Sequence, residues 1–168
     1  GVLLRAMSFI VAEFPSVCLY VVGDGPLRKP LEALACELGL EQRIHFVGIQ
    51  PDVRPYLCSC DLALLPSLSE GMGLAAVEAM AVGRAVVGSH TGGIPEVVVE
   101  GETGLLVPPG DVQGLASAVA VLLRNPTRRL AMGRAGQARA HDQFSLQGAL
   151  AQLQALYAEL LRAKGIEL

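Results

Sequence analysis

Short apolar runs alternate with helix-patterned segments along most of this chain, and no other feature narrows the possible folds so far. Val17–Val22, Ile44–Val47, Leu62–Leu65, Ala85–Gly88 and Gly104–Val107 have strand length and little polar alternation, the pattern of strands buried on both faces of a parallel sheet. Helical patterning fills the intervals at about Leu27–Leu38, Pro51–Ser59, Leu74–Val82 and Pro95–Val99. Strand, helix, strand in repetition predicts an α/β fold: a doubly wound, Rossmann-like parallel sheet with right-handed crossovers. Nineteen glycines and ten prolines without a period supply the turns this alternation needs. The five strands and their helices are expected to enclose one contiguous core.

The two ends depart from the alternation. Beyond Val107 the pattern is wholly helical, which predicts trailing C-terminal helices. Asp111 is placed to N-cap a helix that runs to Arg124 and stops at Asn125-Pro126. Thr127 is expected to cap the next, to about His141, and Ser145 a last one with Leu146, Leu150, Leu153, Tyr157 and Leu160 at helical spacing. At the other end Leu3, Met7, Ile10 and Phe14 mark an amphipathic helix before Pro15. A doubly wound sheet normally opens on a strand, so a first strand, and with it another domain, is expected upstream of Gly1. Residues 1–168 then read as a single domain lacking that strand.

Composition excludes several classes. With 52% hydrophobic and 17% charged residues, the chain lies outside the signature of disorder. Thirteen basic against sixteen acidic residues give no electrostatic case for nucleic acid or an anionic membrane surface. The longest largely apolar run, Leu115 to Leu123, is about half of the roughly 18 residues a membrane span requires. No export signal is visible, and a cytoplasmic location is expected. Cys18, Cys36, Cys58 and Cys60 lie in apolar stretches without zinc-finger spacing, and are expected to be buried free thiols of a reducing compartment. Arg128, Arg129, Arg134 and Arg139 read as a solvated helix face.

Three glycine-containing turns follow strands, where open α/β sheets bind ligands. In Gly23-Asp24-Gly25-Pro26, Pro26 suits the first position of a helix. The second turn runs from Pro66 through Ser67-Leu68-Ser69-Glu70-Gly71-Met72-Gly73 into the Leu74 helix. There Gly71 and Gly73 are expected at positive φ, and the first N–H groups of the helix, with its dipole, suit a phosphate. Glu70 stands before that cradle and Glu78 about one turn inside the helix. Carboxylates repel phosphate but accept hydrogen bonds from paired hydroxyls. A ligand that presents hydroxyls, then phosphates, then hydroxyls again is a nucleotide-activated sugar. The third turn, Ser89-His90-Thr91-Gly92-Gly93-Ile94-Pro95-Glu96, repeats the anion-site pattern; His90 has the chemistry of a general base but reads as structural, since no partner is visible.

These residues resemble a known family. Ser67-Leu68-Ser69-Glu70-Gly71-Met72-Gly73-Leu74, followed by Glu78-Ala79-Met80-Ala81, is similar to the Glu-x7-Glu signature of the family-4, or group 1, retaining glycosyltransferases. The resemblance extends to Val21–Pro26, Arg43–Gly48, Gly92–Glu96 and Gly101–Asp111, at the family's usual spacings. Met72 stands where the family often has an aromatic residue, and Ala85 where it often has proline.

The resemblance implies the C-terminal, donor-binding half of a GT-B fold, two Rossmann-like domains facing a cleft. It implies transfer of a hexose-type sugar from a nucleoside diphosphate to a hydroxyl acceptor, with retention of anomeric configuration. Glu70 would take the hydroxyls of the donor sugar, as the catalytic residue of this half, and Glu78 the ribose hydroxyls. Gly71, Met72, Gly73 and Leu74 would offer backbone N–H groups to sugar and diphosphate, while Gly23 and the Gly48–Gln50 loop, with Gln50 at its end, would border the nucleobase. The family's basic pair for the diphosphate would lie upstream of Gly1. The acceptor, and any contact with a membrane surface, would belong to the missing N-terminal domain, so these residues alone are expected to be inactive. No metal is implied, since no Asp-x-Asp motif is present. Two other readings use the same cradle: a nucleotide-sugar epimerase on this fold, and a nucleotide-binding module without activity. A glycosidase pair is a poorer fit, because hydrolysis has no use for a phosphate cradle.

Overall fold

The computed structural model describes residues 1–164. The chain runs α1 (Val2–Glu13), β1 (Leu19–Val22), α2 (Arg28–Glu37), β2 (Ile44–Gly48), α3 (Arg54–Ser59), β3 (Leu62–Leu65) and α4 (Leu74–Ala81). It continues through β4 (Ala85–Ser89), α5 (Ile94–Val97), β5 (Gly104–Val107), α6 (Val112–Arg124), α7 (Pro126–Phe144) and α8 (Leu146–Ala163). Every strand pairing is parallel, as the uninterrupted apolar runs required.

Alternate residues of each strand serve opposite faces. Ala85, Val87, Leu105 and Val107 join Leu19 and Ile44 beneath α1, α2 and α6, whereas Val86 packs with Ala76, Ala79, Met80, Ile94 and Val97 beneath α4, α5 and α7. The core is therefore two clusters separated by the sheet, and the expectation of a single contiguous core is corrected. Period-2 side chains cannot reach the other side of a sheet covered by helices on both faces. Met7, Ile10, Leu115 and Leu122 are at most 1% exposed, and each contributes about 1.5–3 kcal/mol by leaving water.

The strands pair as β1-β2 and, separately, as β3-β4-β5, so the five do not form one continuous hydrogen-bonded sheet. Both pieces nonetheless share one core face, since Leu19 and Val21 of β1 and Leu62 and Leu64 of β3 belong to the same cluster. Burial on both faces holds fully only for β4, where all five residues are buried. In β1, Tyr20 is 54% exposed and rests on His45 and Tyr56, with ring centroids 4.9 and 6.3 Å away.

Several local expectations are also corrected. Strand β1 begins at Leu19 rather than Val17, and α2 at Arg28, so Pro26 precedes the helix instead of opening it. Helix α7 is capped by Asn125, whose side chain accepts from Arg128 N at 2.9 Å, with Pro126 at its start; Thr127 lies inside. Asn125-Pro126 thus stops one helix and starts the next. Asp111 and Ser145 cap as expected, accepting from Gly114 N and Gly148 N. The cysteines are not buried: Cys18, Cys36 and Cys58 are exposed and Cys60 is half-buried. Arg129 and Arg139 are not solvated either. Arg129 pairs with Asp61 at 2.8 Å and donates to the Leu122 carbonyl, and Arg139 donates to the carbonyls of Val97 and Glu96. Among the described residues no helix is long and apolar enough to cross a membrane.

Candidate functional site

Helix α4 starts without a capping side chain. Its N-cap is Gly73, in the left-handed region at φ 81° and ψ 46°, where a Cβ is disfavoured. The Gly73 carbonyl accepts from Ala76 N at 2.8 Å and from Val77 N at 3.4 Å. Ahead of them, the N–H groups of Gly71, Met72, Gly73, Leu74 and Ala75 meet no protein acceptor among the described residues. Unpaired donors at the positive end of a helix dipole form an anion cradle. Met72 and Leu74 are exposed, at 47% and 64%, so the cradle is open at its surface. Of the two glycines expected at positive φ only Gly73, the N-cap of α4, has it; Gly71, two residues earlier, does not.

The third glycine turn supports this loop from behind. Gly93 N donates to the Gly71 carbonyl at 2.8 Å. A Cβ on Gly92 would overlap the Glu70 carbonyl oxygen, and one on Gly93 would overlap the Gly71 carbonyl oxygen and stand 3.0 Å from Met72 Cα. Gly92-Gly93 is therefore a place where two backbones touch, not a second anion site: the Gly93 N–H is already spent, and α5 has only four residues. His90 in the same turn is exposed, and its backbone N–H donates to the Val107 carbonyl at 2.7 Å.

Two carboxylates flank the cradle in sequence. Glu70 is half-buried and accepts from Ser67 Oγ at 3.1 Å, a bond that ties it within its own loop. Glu78 is exposed on α4, whose opposite side buries Ala76, Ala79 and Met80. Among the described residues neither carboxylate has a cationic partner within ion-pair distance, so both keep their acceptor capacity.

The other predicted residues lie at the carboxyl ends of β1 and β2. The β1–β2 register slips between Val21 and Val22, leaving Val22 opposite Gly48, and Gly23 N donates to the Gly48 carbonyl at 2.8 Å. Gln50 Nε2 donates to the Val47 carbonyl at 2.6 Å, which closes the Gly48–Gln50 loop with Ile49 79% exposed at its tip. Asp24 Oδ1 accepts from Gly25 N at 2.7 Å and Oδ2 from Arg28 Nη1 at 3.1 Å. The Gly25 N–H first, and the Arg28 guanidinium second, hold the Asp24 carboxyl below its usual range. Arg28 is the site-edge residue that sequence reasoning missed. Its signal was the i, i+4 spacing of Asp24, Arg28 and Glu32.

The first two glycine turns thus follow β1 and β3, one strand from each of the two separate pieces of hydrogen-bonded sheet. Ligands of open α/β sheets sit outside the carboxyl ends of the strands where the winding reverses. Among the described residues no cluster of three or more His, Cys, Asp or Glu is placed to hold a metal ion.

Known proteins share this fold. A family model described as "Glycosyl transferases group 1" matches residues 1–125. N-acetyl-alpha-D-glucosaminyl L-malate synthase of Bacillus anthracis is 36% identical over 159 residues, 95% of this chain and 42% of that protein. Anabaena Alr3699/HepE, solved with UDP and with UDP-glucose, superposes with TM-scores of 0.89 and 0.88 at 29% identity, covering 94% of this chain and 44% of that one. The C-terminal domain of a glycosyl transferase group 1 family protein (LpcC) from Francisella tularensis matches with a TM-score of 0.79 at 27% identity, over 86% of this chain and 78% of that one. The chain spans about two-fifths of the length of the curated relatives it matches.

Proposed function

The chain belongs to the group 1 glycosyl transferases and has the fold of the C-terminal half of a GT-B enzyme, and from that premise we propose that it holds the nucleoside-diphosphate sugar from which a full-length enzyme transfers a sugar to a hydroxyl acceptor with retention of configuration. The observation that carries this reading is the row of unpaired N–H groups from Gly71 to Ala75, with an acceptor-only carboxylate before it at Glu70 and after it at Glu78. The solved complexes of HepE with UDP and UDP-glucose support it.

In this reading the diphosphate lies at the N-terminus of α4. As the bond to the sugar breaks, positive charge develops on the sugar ring and negative charge on the leaving diphosphate. Oriented N–H groups that need no reorganisation stabilise the latter as it forms. The reading asks no metal ion of these residues, since N–H groups here and basic side chains from a segment ahead of Gly1 would neutralise the diphosphate. Glu70 accepts from the hydroxyls of the transferred sugar, and Glu78 from the ribose. The same reading accounts for the two separate pieces of sheet: a strand of the full-length protein would stand between them, and a preceding domain would bring the acceptor.

The two carboxylates provide the test, in the full-length protein. Glu78→Gln weakens binding of UDP or GDP alone, because donor and product share the ribose. Glu70→Gln spares that binding and lowers turnover. Hydrogen bonds to charged groups are worth about 1.5–3 kcal/mol, so each effect is on the order of 10- to 100-fold. Calorimetry with the nucleotide alone separates them, and equal losses in the two variants would overturn the assignment.

A further inference from the structure

The two loops assigned to the nucleobase are joined by very little backbone. Beyond the register slip at Val22 the β1–β2 pairing ends, and a single bond, Gly23 N to the Gly48 carbonyl, links the turns. Gly23 to Leu27 and Ile49 are all exposed, so no core fixes this end. One side chain spans it. Arg28 donates from Nη1 to Asp24 Oδ2 at 3.1 Å, from Nη2 to the Phe46 carbonyl at 3.2 Å and from Nε to Glu32 Oε1 at 2.8 Å. Its guanidinium also lies against the second loop, with Nη1 3.3 Å from where a Cβ on Gly48 would stand.

We propose that Arg28 is a positioning residue that sets the spacing of the Gly23–Gly25 turn and the Gly48–Gln50 loop, and thereby the width of the nucleobase end of the donor site. The proposal rests on the donor-binding reading above. The three acceptors lie around one planar fork: a carboxylate in the first turn, a carboxylate one helical turn on, and a backbone carbonyl two residues before Gly48. A guanidinium meets three such directions at once and an ammonium, as a point charge, does not. Because the pairs are exposed, losing them costs the fold little. What changes is the relative placement of two loops that are otherwise tied only by the Gly23 N to Gly48 carbonyl bond, and binding to a base needs both at one spacing.

The experiment uses full-length protein with three probes: UDP, GDP and inorganic pyrophosphate, which occupies the cradle and has no base. Arg28→Gln and Arg28→Lys are expected to melt within about 4 °C of the parent. Both should bind the nucleoside diphosphate preferred by the parent about tenfold more weakly, while inhibition by pyrophosphate is unchanged. In turnover the loss should appear in KM for the donor and not in kcat, because contacts to the base are uniform binding. Should Arg28→Gln fail to fold, Asp24→Asn, which removes one partner in an exposed turn, is expected to give the same split. Equal loss of nucleotide and pyrophosphate binding, or full nucleotide binding by both Arg28 variants, would overturn the proposal and leave the donor reading standing. A parent protein that binds neither UDP nor GDP would overturn the donor reading, and this proposal with it.

Discussion

At the Gly23 end of the candidate site two loops are held together by one backbone hydrogen bond and a side chain, whereas at the Glu70 end two loops are packed backbone against backbone. Arg28 reaches from Asp24, through an exposed hydrogen bond, to the Phe46 carbonyl, through a partly buried one. Gly92 and Gly93 instead lie on Glu70 and Gly71 so closely that neither tolerates a Cβ without displacement, and Gly93 N closes the contact. Under the proposed function, the difference follows what each end would hold. Oriented donors for an anion act best when they cannot shift, and close packing on backbone resists movement in every direction. A clamp made by an exposed ion pair is weaker, and salt and acid act on it.

The sharpest way to break this comparison is to force the packed end apart. Gly92→Ala, at φ +52° and against a carbonyl oxygen, should destabilise the protein by about 2–4 kcal/mol and remove nucleotide binding with it. Urea unfolding of Gly92→Ala and Gly93→Ala beside the parent measures this; parental stability in both would mean that the loops do not depend on the contact. A smaller effect separates the two glycines of the cradle. Gly73→Ala meets a positive φ and Ile94 Cγ1 at 3.3 Å, and should cost about 1–2 kcal/mol. Gly71→Ala, without positive φ and with nothing within 4 Å of its Cβ, should stay within about 0.5 kcal/mol. If Gly71→Ala is the more damaging to stability, the backbone assigned to the loop is wrong.

The smallest effect belongs to the clamped end and is one of pH. The Asp24 carboxyl titrates below its unfolded value, so its contribution is complete above the ordinary aspartate range and lost as pH falls through the lowered folded value. The spacing of the two loops should therefore be unchanged from about pH 5 to 8 and loosen only below about pH 4. Amide exchange at Gly23 N, extrapolated for the intrinsic pH dependence, follows it. Protection already lost between pH 5 and 7 would show that Asp24 does not govern this end.

Much of the fold was legible because it depends on neighbours in sequence. The apolar runs place all five strands to within two residues, and Asp111 and Ser145 announce their helices by the hydrogen bond each side chain makes three residues on. The unpaired donors at the start of α4 were legible for the same reason, since a helix that starts on glycine leaves donors without a cap. The misreadings share a cause as well. Gly92-Gly93 looks like an anion turn, yet its glycines answer to Glu70 and Gly71, some twenty residues earlier. Arg129 and Arg139 look like a solvated face, yet each reaches back to a distant carbonyl, at Leu122 and Val97.

Periodicity, caps and charge spacing are local, and from them the sequence by itself determined an α/β chain with parallel strands, trailing helices and two carboxylates set around a helix start. Tertiary structure alone decided which strands share hydrogen bonds, that they do so in two separate pieces, and which glycine turns face outward and which face another loop. Those choices depend on the atoms that packing brings to within 3–4 Å, and a glycine or an arginine carries the same letter whatever stands opposite it.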